Sequence, residues 1–180
     1  MKNFFTVFVL TLFFSFSTKA QKGSTLLSLG ADLAIPTSDF GDLFNVGPGV
    51  RAKMLFGVTP AGYITATTGI NSFSAKSEFL DQGESITFRV IPILAGYHHN
   101  FNGFYIEPQI GFGVYSATAK ANGQSESSST NAFTWSAGFG YLKNNVEVGL
   151  RYQGAEKDGE SFSLFGVNVS YVFNLGKSKR

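Results

Sequence analysis

One pattern recurs along most of this chain: apolar residues alternate with small or polar ones in runs of about ten residues. In Val146–Gly154, Val146, Val148, Leu150 and Tyr152 point one way, and Glu147, Gly149, Arg151 and Gln153 point the other. A period of two marks a β-strand with two unlike faces. Eight such segments can be read, at 24–36, 50–57, 62–71, 85–97, 104–115, 131–141, 145–154 and 162–175. No segment after the N-terminal run is apolar for long enough to make a transmembrane helix. The expected class is all-β.

Alternation alone does not say which face is the inside. The smaller face carries glycine repeatedly, at Gly30, Gly69, Gly111, Gly113, Gly138, Gly140, Gly149 and Gly166. A solvated strand face would be rich in Lys, Glu and Thr, because glycine weakens a strand and packs nothing. A narrow closed lumen, by contrast, needs small residues that leave room for a few large polar ones. The opposite face is Leu, Val, Ile, Phe, Trp and Tyr. Charged residues make up 14% of the chain and aromatic residues 16%, against roughly 25% charged in ordinary soluble domains. A chain so poor in charge must hide much of its surface from water. The apolar face is therefore expected to face lipid, and the fold to be an eight-stranded antiparallel up-and-down transmembrane β-barrel.

The connections support this arrangement. Long ones follow the first, third, fifth and seventh segments, and short ones follow the second, fourth and sixth, as in bacterial barrels with short periplasmic turns and long external loops. The long connections hold Asp39, Asp42, Glu78, Asp81, Glu84, Glu126, Glu156, Asp158 and Glu160 against Lys76, Lys120 and Lys157, so the external end is acidic. Lys22 and the C-terminus belong to the periplasmic end. The stretch ANGQSESSST is of low complexity and reads as a mobile loop. Pro92 and Pro108 fall inside strands of a fold with no free edge, and a shared break or bulge is expected there.

Residues 1–20 form a separate unit: a short basic start, the apolar run Phe4–Phe16 and the small residues Thr18 and Ala20 read as a cleaved signal peptide. Residues 21–180 are then the barrel domain, with 12 basic and 12 acidic residues once Lys2 and Lys19 are removed. No basic stripe suggests nucleic acid. The absence of cysteine excludes disulfides and thiol chemistry.

The last segment, FGVNVSYVF, sets Phe165, Val167, Val169, Tyr171 and Phe173 on one face. It resembles the C-terminal signal read by the barrel-insertion machinery of outer membranes. With LAIPTSDFGD (33–42) and RVIPILAGYHH (89–99), the chain resembles the small outer-membrane β-barrel family common in Bacteroidota, similar in architecture to OmpA, OmpX and OmpW barrels. The resemblance implies the fold, residence in the outer membrane of a Gram-negative bacterium after export, and contact with outer-membrane lipid and lipopolysaccharide. It implies no catalytic residue, cofactor or metal.

The candidate site is the polar network of the lumen: Asp32, Arg51, Lys53, Arg89, Glu107, Glu147 and Arg151. Eight strands leave little bore, so an internal salt-bridge plug is favoured over an ion path. His98 and His99 are read as polar residues of a periplasmic turn, too few for a zinc site. EKDGE (156–160) lacks the EF-hand spacing, and GFGVY (111–115) has no helix behind it to make a phosphate loop. Phe44, Phe104, Trp135, Tyr141, Tyr152 and Phe173 are the expected interfacial girdles. The functional expectation is a non-enzymatic monomer serving membrane integrity or surface interaction through its acidic loops. The alternative is a small pore or a conduit for small or hydrophobic molecules. A soluble lipocalin-like carrier, with the faces reversed, ranks third.

Overall fold

A computed structural model describes residues 24–177 except Gln82, Asn122 and Asp158; the expected signal peptide lies outside the described residues. The strands are β1 (Ser24–Thr37), β2 (Gly47–Gly57), β3 (Gly62–Ser74), β4 (Ser85–Phe101), β5 (Phe104–Ala121), β6 (Gln124–Lys143), β7 (Val146–Lys157) and β8 (Glu160–Lys177). Each pairs antiparallel with the next, and β8 returns to β1 to close the barrel. A short helix, α1 (Asp39–Leu43), follows β1, and a 3₁₀ turn at Ser77–Phe79 follows β3. No described helix is long and apolar enough to cross a membrane.

Two of the short connections are tight two-residue turns. Asn102 and Gly103 join β4 to β5, and Asn144 and Asn145 join β6 to β7; all four have positive φ. Hairpin turns that match strand twist need such angles, which Asn and Gly adopt most cheaply. β4 runs on to Phe101, so His98 and His99 are strand residues instead of turn residues. The side chain of His98 points inward, 1% exposed.

The outer wall is apolar. Leu33, Ile35, Val50, Ile64, Ile93, Ile106, Ile110, Phe112, Phe139, Val148 and Leu150 are all exposed on it, and such a continuous surface suits hydrocarbon instead of water. Phe104 stacks on Tyr141 at the short-turn end, 4.8 Å between centroids, and Trp135, Tyr152 and Phe165 form a second aromatic band on the loop side. Phe44 is not part of either band. It packs against Phe40 and Phe88 inside the loop end of the barrel, because α1 folds inward over the mouth.

Two further expectations need correction. ANGQSESSST is mostly strand: β5 and β6 remain paired up to Ala121 and Gln124, making a tall hairpin that carries Ala121 and Gln124–Thr130 as strand. Serine and threonine tolerate strand geometry, and β5 supplies the partner that low complexity could not reveal. The prolines also act separately. The β3–β4 ladder lacks the pairs between Thr68–Ile93 and Asn71–Val90, beside Pro92. The β4–β5 ladder lacks those between Gly96–Gln109 and His99–Ile106, beside Pro108. In both places the register resumes unshifted, so each proline leaves a gap in one ladder and no bulge.

Candidate functional site

Inward residues fill the barrel in layers. At the loop end, Phe73, Val90, Leu164, Ala34 and Tyr115 form an apolar cluster with Phe40, Phe88 and Phe162 packed on it. Phe40 is the plug: its ring meets Phe73 edge-on at 5.3 Å and Phe162 at 4.4 Å. Beside α1 an open cup of about 620 Å³ remains, walled by Phe40, Leu43, Phe88, Tyr115 and Phe162, with Asp39, Thr130, Lys157 and Ser161 around it.

Below the cup the packing turns polar. Arg151 forks onto Asp32, with Nη1 bonding Oδ1 and Nη2 reaching Oδ2 at 2.9 Å. The Asn71 amide also donates to Asp32, at 2.8 Å. Paired donors on one carboxylate are the geometry in which arginine binds most firmly. Next, Arg51 donates to the Gln109 carbonyl at 3.0 Å, and the Gln109 amide donates to Thr67 at 2.7 Å. Nearest the short turns, Lys53 bridges Glu107 at 2.9 Å and Glu147 at 2.7 Å. Tyr105 and Ser28 donate to the two oxygens of Glu147, at 2.7 and 3.1 Å. The His98 ring stacks on Tyr105, 4.3 Å between centroids. Lys53, Glu107 and Glu147 are each exposed by 3% or less.

The network therefore contains six of the seven residues singled out from the sequence. Arg51, Lys53 and Arg151 balance Asp32, Glu107 and Glu147, three charges of each sign. The seventh, Arg89, faces outward and is exposed. In β4 the apolar residues occupy both faces, and Phe88, Val90 and Leu94 take the inward seats under the mouth. Polarity alone misplaces a residue where a strand is apolar on both sides. Arg89 lies in register between Ser72 and Ser116, at the loop-side edge of the apolar wall. Arg89→Gln is expected to change stability by less than about 0.5 kcal/mol in urea titrations of the lipid-embedded barrel, whereas Arg151→Gln, which strips Asp32 of its guanidinium, is expected to cost several times more.

Sequence reasoning missed Ser28, Asn71, Tyr105, Gln109 and His98. All lie on the inward parity of their strands, and that parity was the available signal. In the Arg151 layer the bore is narrow: the cavity among Asp32, Arg51, Thr67, Asn71, Arg151 and Gln153 holds about 10 Å³, room for roughly one water at most. Gln153 and Ser136, register partners on β7 and β6, have buried side-chain polar atoms with no protein partner. No group of three or more potential metal ligands occurs among the described residues. Phe165, Val169, Tyr171 and Phe173 are exposed on the outer wall of β8, with Val167 half-buried between them.

Comparison with known proteins agrees with this architecture. The model of the outer membrane protein beta-barrel domain matches residues 6–173. No curated protein matches the sequence. Among solved structures, Ail, the attachment invasion locus protein of Yersinia pestis, superposes with a TM-score of 0.66 at 18% identity, covering 85% of this chain and 100% of that one. The structure carrying that match is a complex with the heparin analogue sucrose octasulfate. The N-terminal β-barrel domain of Pseudomonas aeruginosa OprF matches at 0.54 and 12% identity over 84% and 100% of the two chains. OprG from the same organism matches at 0.53 and 9% over 85% and 97%. At these identities the superpositions establish the fold.

Proposed function

The chain belongs to the outer membrane protein beta-barrel family, and from that premise we propose that it is a non-enzymatic, non-conducting barrel that braces the outer membrane and presents its loop end for surface interactions. Family and architecture place it in the outer membrane of Gram-negative bacteria. The observation that carries the proposal is the charge-balanced network that crosses the lumen from Arg151 down to Lys53, with a cavity of about 10 Å³ beside Arg151. A path for ions would need a continuous bore, and an enzyme would need reactive groups reachable by substrate. The six charged groups in this lumen are each spent on another member of the network.

On this reading residues 1–20 are removed on export and residues 21–180 form the mature barrel. Phe165, Val167, Val169, Tyr171 and Phe173 are the signal for the insertion machinery, and lipid with lipopolysaccharide surrounds the wall. In planar bilayers the purified protein is expected to give no steps above the bare-membrane baseline; stable openings would overturn the proposal. The cup of about 620 Å³ favours one further reading, reception of a small apolar molecule at the mouth, since its size and aromatic lining lie in the range of ligand pockets. The polar plug beneath it makes the cup a dead end. Filling it with Thr130→Phe, at an exposed position on its rim, should abolish any such binding and leave the barrel folded.

A further inference from the structure

Above the barrel the sheet does not stop evenly. β5 is supported by β4 as far as the pair Ser85–Lys120, and β6 by β5 as far as Ala121–Gln124. On its other side β6 pairs with β7 only as far as Phe133–Glu156, and β7 ends at Lys157. The β7-side edge of Ser125–Asn131 therefore has no neighbouring strand among the described residues, and every one of these residues is exposed. Such a row of unpaired N–H and C=O groups is a template for another strand, and natural proteins usually guard it with lysine, proline or a bulge. This edge, SESSSTN, has no proline, no lysine, no arginine and one charge, Glu126. It also runs without register shift against β5.

We propose that this edge pairs antiparallel with the same edge of a second copy held in an apposed membrane, so that the protein mediates contact between like cells. The inference rests on the surface-presentation reading above. Two facts select a second copy as the partner. The first is charge complementarity. Glu126, Ser128 and Thr130 share one face of β6, and Lys157 reaches Thr130 on that face. Antiparallel self-pairing centred on Ser128 sets Glu126 opposite Thr130 of the other copy, beside its Lys157, and does so twice by symmetry. Glu126 never meets Glu126.

The second is the geometry of the membrane. A two-fold axis that pairs identical strands antiparallel within one sheet stands perpendicular to that sheet. The barrel wall stands upright in the membrane, so this axis lies in the membrane plane and inverts the second copy. Two copies in one membrane cannot meet this way; two copies on facing membranes can. Within its own membrane the chain remains a monomer. One pairing of a short polar strand is weak, and many between two surfaces add by avidity.

The test uses cells displaying the full-length protein at about 0.15 M salt, where screening beyond roughly 8 Å quiets the acidic loops and spares the contact pair. Wild-type cells are expected to clump. Glu126→Lys cells carry two cations at each contact and Lys157→Glu cells two anions, so each population alone should settle no faster than cells lacking the protein. Mixed, the two should clump with each other, because lysine at 126 meets glutamate at 157 and lysine at 157 meets glutamate at 126. Mixing no more adhesive than either variant alone would overturn the proposal, as would dispersed wild-type cells. Because the chain has no cysteine, labelling of Ser125→Cys by a membrane-impermeant maleimide reports display separately. Labelled but dispersed cells sink the self-pairing alone, and cells that cannot be labelled sink the surface reading as well.

Discussion

Replacing Lys53 with methionine is expected to cost the barrel about 3–5 kcal/mol, the range for stranding a buried charge. Lys53 is the cation between Glu107 and Glu147, at 2.9 and 2.7 Å. Methionine matches its length and polarises nothing, so two carboxylates would face each other in a site sealed from water. His98 lies 3.7 Å from Glu107, too far for a strong hydrogen bond, and offers poor replacement. The measurement is the urea midpoint of the lipid-embedded protein, or the temperature at which the compact band disappears on unboiled SDS gels. The triple variant Lys53→Met, Glu107→Gln, Glu147→Gln should recover most of the loss, because neutral amides can hydrogen-bond in place without a counter-ion. If the single variant is as stable as wild type, the plug is not held by this pairing.

The second large effect concerns glycines that look alike in sequence. A Cβ built on Gly30 would overlap the backbone oxygen of Val169 and the Cα of Ser170, and one on Gly111 would overlap the backbone oxygen of Ile93. Rigid neighbouring strands cannot step aside, so Gly30→Val and Gly111→Val are expected to lose at least the 1–3 kcal/mol typical of overpacking and to yield little heat-modifiable barrel. At Gly138 the nearest atoms to an added Cβ are 3.5 Å away, an ordinary contact. Gly138→Ala is therefore expected to be neutral, or to stabilise by up to about 1 kcal/mol through reduced chain entropy. Equal effects at Gly30 and Gly138 would contradict the wall spacing described here.

The two-residue period revealed the fold because it is a local consequence of strand geometry, and each strand states it independently. Val146–Gly154 alone shows both faces, and glycine on the polar face indicates which one is enclosed. The lumen network was legible for the same reason in β1, β2, β5 and β7, where charge and inward parity coincide. It failed at Arg89 because Phe88 and Val90 are needed to seal the mouth, and nothing local in SITFRVIPIL states that. It missed Tyr105 and Asn71 because an isolated tyrosine or asparagine carries no sign of its partners; those lie on other strands and are fixed only by closure. The tall β5–β6 hairpin escaped for a related reason, since its strand character comes from pairing and hardly at all from its serines.

The positions of the two proline gaps have a mechanical consequence. One lies between β3 and β4 and the other between β4 and β5, five to six residues apart along β4, or about 17–20 Å at strand rise. Each missing course therefore stands beside an intact one, as offset joints do in brickwork. A tear starting at Pro92 meets continuous bonding to β5 at the same height, and one starting at Pro108 meets continuous bonding to β3. The wall can carry two flaws in a single strand and still offer no line along which to split.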